Sequence, residues 1–194
     1  RESDFVNAIL GIQGDVWSHF GGRYDMLWFL DKLKREGLPP SEVKVIMAGP
    51  RIISVQVGKT VLRDSYALVP MSLDAASQMT STPKLDPGFP CICGKPRCKG
   101  FCSVRRDMPA PLRARLVEYL VRDCEALYNV LDKIFAFAEE NRITLKPTVG
   151  ASAWATAAEQ CGIDKADWSD GKSKARLYSF ARTGYFGGRV QGFK

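Results

Sequence analysis

An α/β domain, with a small antiparallel or mixed sheet flanked by helices, is the fold class the sequence predicts, and three observations predict it. Three β-rich runs, "VKVIMAG", "RIISVQV" and "TVLRDSYAL", follow one another across Gly-Pro and Gly-Lys turns. After Pro111 the apolar positions Leu116, Val117, Leu120, Val121, Cys124, Leu127, Leu131 and Ile134 recur at helical spacing for about thirty residues. Shorter helical patterns precede the strands and follow the long helix.

Taken in order, "SDFVNAILGI" reads as a short helix capped by Ser3 or Asp4, and "DVWSHF" as a short strand. "MLWFLDKLKREG" has a broad apolar face, a basic last turn and Gly37 as its stop, which makes it a helix. The three β-runs come next. Residues 80 to 110 form a long connection rich in Pro, Gly and Cys, and the long helix follows it. "ASAWATAAEQCG" and "SKARLYSFAR" read as two further helices before a glycine-rich "GYFGGRVQGFK". Cys124 and Cys161 stand in apolar helical contexts and are expected in the core.

Composition narrows the partners. With 194 residues, 45% hydrophobic and 25% charged, the chain has the make-up of a globular protein able to bury one substantial core. No apolar run reaches the roughly 18 residues that span a bilayer, and "RESDFVNAIL" lacks the basic-then-apolar layout of a signal peptide. The expectation is a cytoplasmic protein without a membrane partner. A net charge of +7 and a pI near 9.2 favour a polyanion.

Four constellations could carry chemistry. In "SHFGGRYD" a strand ends, two glycines allow a tight turn, and Asp25 opens a helix. That carboxylate is either a helix cap or, at a strand's carboxyl end, part of a metal-phosphate site. In "YLVRDCEALYNVL", Tyr119 and Asp123 are four residues apart and share a helix face. They are either a solvated pair or, together with Asp25, the phenol and carboxylates of two-metal phosphodiester hydrolysis. In "LRDSYALVPMSL" and "TPKLDPGF", Ser65 can bond a phosphate and Lys84 can neutralise charge developing on one. In "GKSKARLYSFARTGYFGGRV", Lys172, Lys174, Arg176, Arg182 and Arg189 interleave with Tyr178, Phe180, Tyr185 and Phe186. This is either a solvated basic helix face or a surface for backbone charge and base stacking on single strands.

In order, "SHFGGRYD", "RDSYALVPMSL", "TPKLD", "YLVRD" and "YFGGR" resemble the successive motifs of a protein-primed family B DNA polymerase of phages and linear plasmids. The resemblance runs over nearly the whole chain. It implies a ribonuclease H-like 3′-to-5′ exonuclease domain, incomplete at its N-terminus, over residues 1–165, with a Cys-rich loop at 86–106. Residues 166–194 would be the linker and the start of a polymerase palm domain. Tyr119 would position the attacking water, Asp25 and Asp123 would bind catalytic Mg²⁺, and Lys84 would be the catalytic lysine. Ser65 would hold the single-stranded primer end. Tyr185, Gly187 and Gly188 match the family's "YxGG" motif, which contacts template, and Arg182 and Arg189 flank it.

Three departures stand out against that pattern. Gly21 replaces an asparagine four residues before the aspartate, with His19 as a substitute substrate contact, and Tyr66 replaces a leucine after the serine. No Asp-x-Glu precedes the first helix, and the one Asp-x-Glu in the chain, Asp123-Cys124-Glu125, lies inside the long helix. The polymerase's own catalytic aspartates are likewise not in this sequence. The expectation is therefore an internal piece or one subunit of a split polymerase, acting in the host cytoplasm if phage-encoded. Its expected partners are single-stranded and primer-template DNA and the remainder of the polymerase, in cis or as a separate chain. The resemblance also admits a terminal priming protein. The competing expectation is a non-catalytic single-stranded DNA-binding module whose exonuclease site stays incomplete.

Cys91, Cys93, Cys98 and Cys102 follow the pattern C-x-C-x4-C-x3-C, with Gly and Pro to bend the chain and basic residues to offset charge. Four thiolates so close can enclose one structural Zn²⁺. Two local disulfides are the competing reading, which a reducing cytoplasm disfavours.

Overall fold

The computed structural model describes residues 2–86, 88–95, 101–105 and 107–162. Helix α1 (Glu2–Leu10) leads to strand β1 (Asp15–Ser18), a 3-10 turn at Gly21–Arg23 and helix α2 (Asp25–Arg35). Strands β2 (Val43–Ala48), β3 (Arg51–Val57) and β4 (Thr60–Asp64) follow, then the short helix α3 (Leu73–Ser77), the long α4 (Ala110–Glu140) and α5 (Val149–Gln160). The second predicted late helix, "SKARLYSFAR", and the basic-aromatic stretch lie outside the described residues.

The four strands form one mixed sheet in the order β1-β4-β3-β2. β4 pairs antiparallel with β3 and parallel with β1, in the register Asp15↔Val61 to Ser18↔Asp64. Gly49 and Gly58 turn the two hairpins with φ of 58° and 56°, the left-handed region that glycine enters without a Cβ clash. The β2–β3 register slips between Ile46↔Ser54 and Met47↔Ile52, which leaves Ile53 as an extra, bulged residue. The bulge resets the side-chain alternation, so Ile52, Val55 and Val57 face one core together.

That core lies between the sheet and the first two helices. Val6 of α1 and Met26, Phe29 and Leu33 of α2 meet Ile52, Val55, Val57 and Leu62, with Val16 packed at the margin. α2 stops as its glycine predicts: Gly37 has φ 82°, its N–H bonds Lys34 O at 3.1 Å, and Leu38 N–H bonds Leu33 O at 3.0 Å. This is the Schellman arrangement, closed by Leu38 packing on the core. Trp17, next to Val16 and so on the opposite face of β1, meets Phe135 of α4 edge-on at 5.9 Å. α4 also packs through Val130 on Ala76 of α3 and on Val69 of the segment before it.

Three sequence expectations need correction. Ser3 and Asp4 do not cap α1, because the helix already runs from Glu2. Cys124 and Cys161 are exposed, not core. Along α4, Val117, Leu120 and Val121 are also exposed, at 54%, 51% and 52%. Buried Ala126, Val130, Leu131 and Ala138 lie further along the helix, where α3 and the end of β1 cover it. Periodicity identifies the apolar side of a helix but not what lies against it.

Candidate functional site

Parallel strands β1 and β4 end level with one another, Ser18 opposite Asp64, so the next residues of each chain segment meet. His19 Nδ1 lies 2.9 Å from Ser65 Oγ, and His19 Nε2 lies 2.8 Å from Met71 O. A carbonyl only accepts, so Nε2 carries the proton toward Met71. Burial lowers the pKa of His19 below its ordinary value; Lys84 and Arg51 act in the same direction, against the Met71 bond and Asp64. In the neutral ring Nδ1 is then an acceptor for the Ser65 hydroxyl, which has Ser18 O at 3.1 Å as its alternative. Ser65 is fully buried. Its hydroxyl and both His19 nitrogens are engaged within the protein, so a direct bond from either residue to a ligand requires one of these bonds to be exchanged.

The turn after His19 is shaped by lack of space. A Cβ on Gly22 would stand 1.8 Å from Ile52 O and 2.8 Å from Asp64 Oδ2; one on Gly21 would stand 1.8 Å from Ser18 Oγ. Gly21 thus occupies a position where an asparagine would collide with β1 unless Ser18 moved. Phe20 enters the turn in the left-handed region, φ 64°, an uncommon conformation for a bulky residue. Gly22 N–H donates to Asp64 Oδ2 at 3.3 Å, and Tyr66 N–H donates to Asp64 Oδ1 at 3.1 Å.

Asp64, 1% exposed, was not among the residues expected from sequence, nor was Arg51. Arg51 Nε lies 3.7 Å from Asp64 Oδ2, and its guanidinium sits over the rings of Tyr66 at 4.0 Å and Phe20 at 4.8 Å. Tyr66 therefore supplies an aromatic face for a cation where leucine could not. Asp25 opens α2 from the first helical position; the cap is Tyr24, which gives no side-chain cap bond. Partial burial, and then the charge of Asp64, push the Asp25 carboxyl above its usual range.

The second cluster joins a loop to α4. Lys84 Nζ donates to Asp123 Oδ2 at 3.0 Å and lies 5.3 Å from the centre of the Tyr119 ring. Burial pulls the Lys84 pKa down, but the bonds to Tyr119 and Asp123 outweigh it, so the net shift is upward. Asn129 fixes this loop by donating to Thr82 Oγ1 at 2.7 Å. Phe89 and Phe101 meet Tyr119 edge-on at 6.2 and 5.5 Å. Beside Tyr119, a cleft of about 410 Å³ opens between Leu85–Asp86 and Arg115 and Glu118 of α4. Asp123 Oδ1 is buried with no hydrogen-bond partner, which leaves one carboxylate oxygen suited to a cation.

The fold therefore brings Lys84 against Asp123 and the Tyr119 ring, sets His19 on Ser65, and lets the charge of Asp64 act on Asp25. The charges of Asp64 and Lys84 both reach His19. Among the described residues, no three carboxylate or imidazole groups come within 4.8 Å of one another. Cys91, Cys93 and Cys102 do, and this cluster could bind a metal such as zinc. Cys98, Arg182, Tyr185, Gly187, Gly188 and Arg189 lie outside the described residues. Asp64 had a readable signal, since "VLRDS" puts a carboxylate at a strand's carboxyl end as "SHFGGRYD" nearly does. Arg51 had none, because only strand pairing brings it there. No described helix is long and apolar enough to cross a membrane.

No family model and no solved structure matches the chain. The DNA-directed DNA polymerase of Enterobacteria phage PRD1 is 26% identical over 179 residues, which cover 92% of this chain and 26% of that protein. The chain spans about a quarter of the relative's length. It is a mixed α/β protein distantly related to a phage DNA-directed DNA polymerase.

Proposed function

We propose that this chain is the 3′-to-5′ exonuclease region of a protein-primed family B DNA polymerase, acting on single-stranded primer ends by two-metal phosphodiester hydrolysis. In this reading residues 1–165 form a ribonuclease H-like domain and residues 166–194 lead into the palm. The observation that carries the proposal is the junction of Lys84 with Tyr119 and Asp123, two separate motifs of the resemblance meeting at 3.0 Å. The distant polymerase relative supports it independently.

Asp25 and Asp123 would hold Mg²⁺, and the unbonded Asp123 Oδ1 and the negative charge of Asp64 felt by Asp25 both suit a cation. The bound ions would stabilise the attacking and departing oxygens. The chain's own part is positional. The Tyr119 hydroxyl orients the nucleophilic water, and the Lys84 ammonium offsets charge at the scissile phosphate and at Asp123. The Phe20–Arg51–Tyr66 stack and the His19–Ser65 pair form the adjoining wall along which the strand's last bases would lie. Zn²⁺ at the cysteines, with Cys98 as fourth ligand, completes the proposed cofactors.

The DNA half of the proposal is tested by fluorescence anisotropy with labelled oligonucleotides. A single strand with a free 3′ end should bind more tightly than duplex, with affinity falling steeply as salt rises. Changing Arg182 and Arg189 to alanine should flatten that salt slope. Equal binding of both forms with no salt dependence would contradict it. Binding of single strands that never leads to cutting in the completed enzyme would favour the non-catalytic module.

A further inference from the structure

The cysteine cluster and the candidate site are joined by three aromatic rings. Cys91, Cys93 and Cys102 place their sulfurs within 4.8 Å of one another, and Cys91 Sγ lies 3.7 Å from Cys93 Sγ. That separation is far too long for a disulfide between those two residues, which needs about 2.05 Å. It matches the S···S edge of about 3.8 Å in a tetrahedron with Zn–S bonds of about 2.3 Å. Ile92 N–H donates to Cys102 Sγ at 3.2 Å, a bond that favours the thiolate and orients it.

The rings are placed by the same residues. Phe89 stands two positions before Cys91 and Phe101 directly before Cys102. Phe89 and Phe101 touch each other edge-on at 5.4 Å, and both touch Tyr119. Among the described apolar side chains of the loop, Phe89 is 6% exposed, while Ile92 and Phe101 are 55% and 43% exposed. A metal cross-link would add to what the Phe89 ring contributes against the entropy of ordering the segment.

We propose that Cys91, Cys93 and Cys102 hold one zinc ion as a clip that braces the Phe89–Phe101 cage, so that metal occupancy fixes the Tyr119 phenol against Lys84 and Asp123. Each thiol gives up its proton to solvent as its sulfur binds, and no redox change is involved. The metal site stands on its own geometry. Its influence on cleavage rests on the exonuclease reading.

The test begins with the chain purified without added zinc. Elemental analysis should find about one zinc per chain, reduced at least tenfold in Cys91→Ser and Cys102→Ser. With ¹³C-labelled tyrosine rings, removing the zinc with a chelator should shift and broaden the Tyr119 signal, assigned through its loss in Tyr119→Phe. The signal of exposed Tyr24 and the amides of β3 should stay in place. Phe101→Leu should keep its zinc but lose the response of Tyr119 to chelation. A folded, metal-free chain with paired cysteines overturns the proposal. So does a Tyr119 signal indifferent to zinc, or one that moves only when the β3 amides are lost as well. If Tyr119 follows zinc but the completed enzyme never cuts DNA, the brace stands and the nuclease reading alone falls.

Discussion

His19 is gripped through both ring nitrogens, and its charge state is coupled to folding. The folded protein holds its pKa below the unfolded value of about 6.5, with burial as the main cause. The unfolded chain thus binds the extra proton more readily, so the His19 contribution is fully present above about pH 6.5 and is lost as pH falls through the lowered folded value. Urea unfolding of the wild type should show a stability drop across that interval, and His19→Gln, which does not titrate, should flatten it. Equal pH slopes in the two proteins would mean that the ring is not held neutral. Asp64 and Arg51 show what residue types alone cannot reveal. An arginine between two aromatic residues beside a buried carboxylate reads in sequence as surface charge, because the contact depends on which strands pair.

At the scale of elements, the turn between β1 and α2 rests on the bulged strand. Gly22 lies against the Ile52 carbonyl, and a Cβ there would be 1.8 Å from that oxygen. Backbone cannot step aside as a side-chain tip can, so Gly22→Ala should cost roughly 3 kcal/mol of unfolding free energy. Denaturant melts would measure it; a loss below about 0.5 kcal/mol would show that the turn is freer than this packing allows. Much at this scale was legible in the sequence. The hairpins followed from glycine turns, the Gly37 stop from its position, and the shared helix of Tyr119 and Asp123 from the apolar period of α4. The Ile53 bulge was not legible, since strict alternation would have set Ile52 and Val55 on opposite faces. Nor was the exposure of Val117, Leu120 and Val121, because an apolar stripe does not name its cover.

Across the whole molecule, α1 and α2 cover one face of the sheet and α4 lies toward the other, as Val16 and Trp17 record on successive positions of β1. His19 and Ser65 meet where β1 and β4 end, and Lys84 meets Asp123 on α4. The parallel β1–β4 register explains why His19 and Ser65 meet. The central claim is that Asp25, Lys84, Tyr119 and Asp123 belong to a nuclease site, and the decisive measurement is Mg²⁺-dependent shortening of a 3′-terminal single strand. Two-metal chemistry needs several carboxylates around ions about 4 Å apart, and no three gather among the described residues. The 194-residue chain alone should therefore show negligible degradation. Supplying a strand that carries Asp-x-Glu, fused or as a separate polypeptide, should create activity that Asp123→Ala abolishes and Tyr119→Phe weakens by on the order of tenfold to a hundredfold. Robust degradation by the isolated chain that survives both Asp25→Ala and Asp123→Ala would contradict the account.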